Sequence, residues 1–137
     1  MTGEETLAGQ DITEMMPFAA TLGLQLTVTA ADRVVAVMPW REDLCTSFGV
    51  LHGGALMALA DTTGAVCAFL NLPQGAATST IESKTNFFRG VRSGKVTATS
   101  RPLHIGRTTI VVQTELRDEA DKLVAMVGQT QIVLPAR

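Results

Sequence analysis

Twenty consecutive residues, Leu51 to Leu70, carry a single charge. The stretch reads as one helix, apolar on nearly every side and rich in Gly and Ala, with Asp61 near its middle. From Leu44 to Ile81 Asp61 is still the only formal charge, and His52 is the only other ionisable side chain besides cysteine. A helix that is apolar all round belongs in a core or a membrane. A carboxylate inside it is costly unless it is hydrogen-bonded, paired or in use. The membrane reading fails on its own terms. Residues 53–70 only just reach the length of a span, the charge sits where insertion is most costly, and no Lys or Arg cluster flanks either end. The expectation is a core helix in a soluble protein.

The rest of the composition agrees. With 137 residues the chain is one domain by length, and 46% hydrophobic against 18% charged residues is a soluble balance tilted toward burial. A net charge of −2 argues against a nucleic-acid partner, which calls for a basic stripe. Cys45 and Cys67 form no close-spaced pair, and no cationic segment leads into an apolar run at the start. Reduced structural thiols in a cytoplasmic protein are expected. No metal is expected: His52 and His104 are the only histidines, and they lack ligand spacing.

Residues 1–11 read as a polar tail, and residues 12–137 as a single domain. Met15 to Leu22 suits a short helix closed by Gly23. Leu24, Leu26 and Val28 then alternate with polar residues as a half-buried strand, and Val34 to Trp40 returns as its hairpin partner. Arg41 to Gly49 is a loop into the long helix, which Pro73 and Gly75 end. Four strand-like stretches follow: Ala77–Arg89, Lys95–His104, Thr108–Arg117 and Leu123–Leu134. Hairpin, long helix, then a meander of about four strands is an α+β order, with an antiparallel sheet covering one helix. Either the sheet curls around that helix or a second subunit covers what the sheet leaves.

Three features carry candidate chemistry. At His52-Gly53-Gly54 the first-turn N–H groups have no intrahelical partner, and the helix dipole favours an anion or a developing oxyanion there. The glycines would serve close packing equally well. Asp61 is either a structural acid or a general base or nucleophile. It lies eight residues after Gly53, about 12 Å along a helix axis. The two cannot serve one carbonyl from one helix, so an enzymatic reading requires a two-fold dimer with antiparallel helices. Finally, Arg89, Arg92, Lys95, Arg101 and Arg107 fall at turns and strand ends, as a solvated rim or, near Gly106-Arg107-Thr108-Thr109, as a phosphate site.

Gly49-Val50-Leu51-His52-Gly53-Gly54 followed by Leu59-Ala60-Asp61 resembles the hotdog-fold acyl-CoA thioesterases of the PaaI-like type, relatives of 4-hydroxybenzoyl-CoA thioesterase. The similarity runs on through Glu82–Arg89, Ser93–Val96, Gly106–Thr109 and Leu116–Asp118. It implies a curved antiparallel sheet wrapped around the helix, a homodimer sharing a continuous sheet, and a dimer of dimers. Asp61 would be the catalytic carboxylate, as base on water or as nucleophile. The partner's Gly53 amide would polarise the thioester carbonyl, and His52 would help to orient the site. Thr80, or Ser79 beside it, would help position water. Arg89, Arg107, Thr108 and Thr109 would hold the CoA phosphates. No cofactor is implied, since coenzyme A is part of the substrate. Thr46 stands where many relatives carry Asn or Gln, so efficiency or substrate class can differ. Ala58, Leu59, Phe69, Phe87 and Phe88 suit an aryl-acetyl or medium-chain acyl group alike. The alternatives are a hotdog dehydratase or hydratase, and an acyl-CoA-binding module without turnover.

Overall fold

The apolar stretch forms the longest helix of the structure, a computed structural model that describes residues 15–137. The tail assigned to residues 1–11, and the domain start at residue 12, lie outside the described residues. A six-residue helix α1 (Pro17–Leu22) is ended by Gly23 in the left-handed region, φ 76°, where a side chain would be strained. The hairpin β1 (Gln25–Ala30) and β2 (Arg33–Pro39) follows, then the long helix α2 (Gly53–Phe69). Strands β3 (Ala77–Phe87), β4 (Lys95–Ile105), β5 (Thr109–Arg117) and β6 (Leu123–Leu134) complete the chain. All six strands belong to one antiparallel sheet in the order β1-β2-β4-β5-β6-β3. The sheet curves around α2, which packs against every strand of it.

Two expectations need correction. The last four strands are not one meander. Only β4, β5 and β6 are consecutive neighbours, while β3 lies at the far edge beside β6. The connection between β3 and β4 must therefore pass two strands, three strand spacings or about 14 Å. Its seven residues, Phe88–Gly94, reach that far. Gly90, Ser93 and Gly94 within it have the composition of a tight turn, which hides the crossing. In β1 the alternation breaks: Leu26 pairs with Ala36 but Val28 with Val35, a bulge at Thr27. One extra residue re-phases the strand, so Thr29 is buried and Val28 only half-buried.

The sheet does not cover α2 completely. Leu56, Leu59, Ala60, Thr63, Gly64, Val66, Cys67 and Ala68 are buried against it. Gly54, Met57 and Phe69 are exposed, and Ala58, Asp61, Thr62 and Ala65 half-buried, at the three- and four-residue spacing of one helix stripe. Asp61 sits in the middle of that stripe.

Candidate active site

Asp61 is held by the two strands nearest the stripe. Thr80 Oγ1 of β3 donates to Asp61 Oδ1 at 2.7 Å, and Gln129 Nε2 of β6 donates to the same oxygen at 3.1 Å. Among the described residues Oδ2 has no protein partner. Behind Thr80 the direction of the hydrogen bonds is determined. The Thr78 hydroxyl reaches Gln131 Oε1 at 3.0 Å (and Ile132 O at 2.9 Å), and Gln131 Nε2 donates to Thr80 Oγ1. The Asp61 carboxylate only accepts, so Thr80 gives it the hydroxyl proton and takes the Gln131 amide on a lone pair. A cavity of about 240 Å³, lined by Met57, Ala58, Asp61, Thr80 and Ser83, opens in front of the carboxylate.

The sequence of β3 produces this lining through a bulge. Thr80 pairs with Gln131 and Glu82 with Thr130, so Ile81 is the extra residue. Thr78 and Thr80 face the helix before it, and Ser83, opposite Gln129, faces the helix after it. Strict alternation would instead aim Glu82 at Asp61, one carboxylate against another. The bulge turns Glu82 out into solvent. Ser79, the other candidate hydroxyl, is exposed on the opposite face. Thr63 does not join the site: its hydroxyl donates to Leu59 O one turn back.

The second group of residues gathers at the start of α2. His52 is its N-cap, with Nδ1 accepting from Gly54 N at 2.7 Å. In the neutral ring the proton then sits on Nε2, free to donate outward. Ala55 N bonds His52 O. Of the first three amides only the Gly53 N–H lacks a partner among the described residues. The Phe87 ring packs over Gly53, where a Cβ would stand 3.1 Å from its Cζ. Thr46 lies exposed in the preceding loop, its N–H bonded to Val50 O. That loop turns through two consecutive left-handed residues, Phe48 at φ 65° and Gly49 at φ 73°, and Trp40 Nε1 anchors it by donating to Gly49 O at 3.0 Å. Phe48 is 94% exposed.

The predicted residues thus fall into two clusters, Asp61 with Thr80 and His52 with Gly53 and Thr46, about 12 Å apart on one helix. The phosphate candidates divide as well. Arg107, Thr108 and Thr109 lie at the β4–β5 tip, where Thr108 O accepts from Val133 N. Arg89 N bonds Val124 O at the other end of β6, about 30 Å away along the strand. Leu59, counted among the substrate-facing residues, is fully buried on the sheet side. Among the described residues no three His, Cys, Asp or Glu side chains gather as metal ligands, and no helix is long and apolar enough to cross a membrane.

Reading the sequence missed Gln129, Gln131 and Gly64. The two amides occupy alternate inward positions of β6, both essentially inaccessible to solvent. The opposite parity of that strand (Met126, Gly128, Thr130, Ile132) is almost as plausible an inner face, which hides the signal.

Both cysteines are free thiols. Burial pushes the Cys67 thiol up to about 11, with the Asp32 charge adding to the effect. At pH 8 only about 0.1% of it is thiolate. Native protein is therefore expected to lose one thiol, Cys45, to a neutral disulfide reagent, and the second only on unfolding. Fast modification of both would contradict the placement of Cys67.

Comparison with known proteins adds four matches. Residues 48–125 match the family model of the thioesterase superfamily. The chain is 38% identical over 104 residues, 76% of each chain, to the proofreading thioesterase EntH of Klebsiella pneumoniae. Among solved structures, a thioesterase from Haemophilus influenzae superposes with a TM-score of 0.87 at 32% identity, covering 98% of this chain and 95% of that one. The PaaI protein of the E. coli phenylacetic acid degradation operon gives 0.84 at 25% identity, covering 91% and 89%.

Proposed function

We infer the activity from one premise: this chain belongs to the thioesterase superfamily, and its fold is the hotdog. Its reaction class is accordingly thioester hydrolysis. We propose that the substrate is an acyl-CoA and that each active site is shared between two subunits of a homodimer.

The observation that carries this reading is the separation on α2. A Gly53 N–H at a positive helix end and a half-buried Asp61 with one oxygen to spare, both without a partner among the described residues, are complementary halves of a thioester hydrolase, held too far apart to meet in one chain. The uncovered stripe of α2 and the free edge of β3 supply the means of joining them. Eight of the eleven β3 residues are exposed, an unusually open edge. Antiparallel pairing of β3 with a second β3 about a two-fold axis extends the sheet and lays the stripes against each other. It also sets the Arg89 end of one β3 beside the partner's Ala77, which pairs with Leu134 next to the Arg107–Thr109 tip. The phosphate candidates then meet across the interface. Two such dimers would form the tetramer.

In this arrangement Asp61 Oδ2 takes a proton from water while the water oxygen bonds to the carbonyl carbon. The carbonyl electrons move onto the oxygen held by the partner's Gly53 N–H, at the end of a helix whose dipole favours negative charge. Collapse of this adduct breaks the C–S bond. The proton on Asp61 passes to the departing thiolate, leaving the free acid and CoA. Thr80 and Ser83 border the cavity where water would stand, which supports the base role over direct attack. Met57 and Ala58 beside Asp61, and the Phe87 ring packed over the Gly53 that the other subunit brings, supply apolar walls for the acyl group.

The test is release of free CoA thiol from a panel of aryl- and alkyl-CoA thioesters. Turnover is expected, and the ranking gives the acyl class. Saturable acyl-CoA binding with no thiol released from any member would return the non-catalytic binding module.

A further inference from the structure

We propose that Gln129 is the residue that aims Asp61, and that Gly64 exists as the clearance that lets it do so. The inference rests on Asp61 as the general base. A carboxylate only accepts hydrogen bonds, so the Gln129 amide must present Nε2 to Asp61. That orientation sends Oε1 the other way, against the backbone of α2 at Gly64, one turn beyond Asp61. There Oε1 is fully buried and has no donor among the described residues, in a residue that is 1% exposed. A Cβ at position 64 would collide with Oε1 and stand 2.6 Å from Cδ. No side chain larger than hydrogen fits at 64 while the amide keeps its bond to Asp61.

An unsatisfied buried acceptor is destabilising, and an apolar residue at 129 would remove the penalty. Glycine inside a helix is also less stable than alanine. Two adjacent positions thus sacrifice stability to keep a single hydrogen bond. What that bond achieves is orientation. With Thr80 it occupies Oδ1 from two directions, which fixes the carboxylate plane and leaves Oδ2 facing the cavity as the oxygen that takes the proton. Gln129 is a positioning residue: it touches Asp61, not the substrate.

The experiment compares kcat, KM and melting temperature for Gln129→Leu, Gln129→Ala, Gly64→Ala and the double variant Gly64→Ala/Gln129→Ala, with Asp61→Asn alongside. Gln129→Leu is expected to melt at or above the wild-type temperature while kcat falls about 10- to 100-fold at unchanged KM. Gly64→Ala is expected to lower kcat to a similar degree. In the double variant the added methyl enters the space the glutamine left, so the loss is no greater than in either single variant. Two outcomes overturn the inference separately. If Asp61→Asn is inactive but Gln129→Leu keeps wild-type kcat, the positioning role alone is wrong. If Asp61→Asn is itself fully active, the general-base reading fails and takes this one with it. Losses that multiply in the double variant would also overturn it, because independent damage gives that pattern and a shared contact does not.

Discussion

Asp61→Asn is expected to lower kcat by about 10²- to 10⁴-fold, the range that a positioned general base contributes, with fold and assembly intact. The change is nearly isosteric. The amide oxygen of Asn can stand in for Oδ1 and accept from Thr80 Oγ1 and Gln129 Nε2, so neither buried donor is stranded. What disappears is the basic oxygen facing the cavity, replaced by an NH₂ that cannot take a proton from water. A melting temperature close to wild type would separate this loss from unfolding. Activity within a few-fold of wild type would remove Asp61 from the chemistry.

Gly53→Pro is expected to cost about 10²- to 10³-fold in kcat, the typical effect of deleting one oxyanion donor. Proline is well placed structurally: it is favoured in the first helical position, where its missing N–H belongs to no helix bond. His52, at φ −63° and ψ 137°, already has the extended backbone that a residue before proline adopts. The substitution therefore deletes the one amide of the helix start that has no partner among the described residues, and it leaves the helix standing. Gly53→Ala is the control. It adds a Cβ against Phe87 at 3.1 Å, contact that a 48% exposed ring can yield to, and it keeps the N–H. Alanine is expected to stay within about tenfold of wild type while proline does not. Equal losses in both would mean that crowding, not the lost donor, is responsible.

Much of this architecture was legible because local chemistry marked it. The helix start is written in His52-Gly53-Gly54, a capping side chain followed by residues that crowd neither it nor Phe87. The strands from Lys95 to Leu134 follow from period-two patterning and from a turn at Asp118, whose carboxylate accepts from Ala120 N and Lys122 N. Pairing was less visible. Strand β3 reads like its neighbours in composition, and nothing local says that it crosses to the far edge instead of folding back. Bulges hid further information, since one extra residue at Thr27 or Ile81 reverses which side chains face inward. Asp61 stood out as a lone charge in an apolar helix, whereas its supports Gln129 and Gln131 are neutral and sit on a strand with two plausible inner faces. Their role emerges only when β6 is laid beside α2.

A site made by Asp61 of one subunit and Gly53 of another is tested most directly by mixing. The Asp61→Asn and Gly53→Pro variants, each expected to be nearly inactive, are combined, unfolded and refolded together, and assayed for thiol release. With sites shared across the two-fold axis, a heterodimer has one site with both defects and one with neither. Random reassociation should then restore about a quarter of wild-type activity. If each subunit instead supplies its own Asp61 and Gly53 to its own site, no heterodimer has an intact site, and activity staying at the level of the two parents would contradict the account.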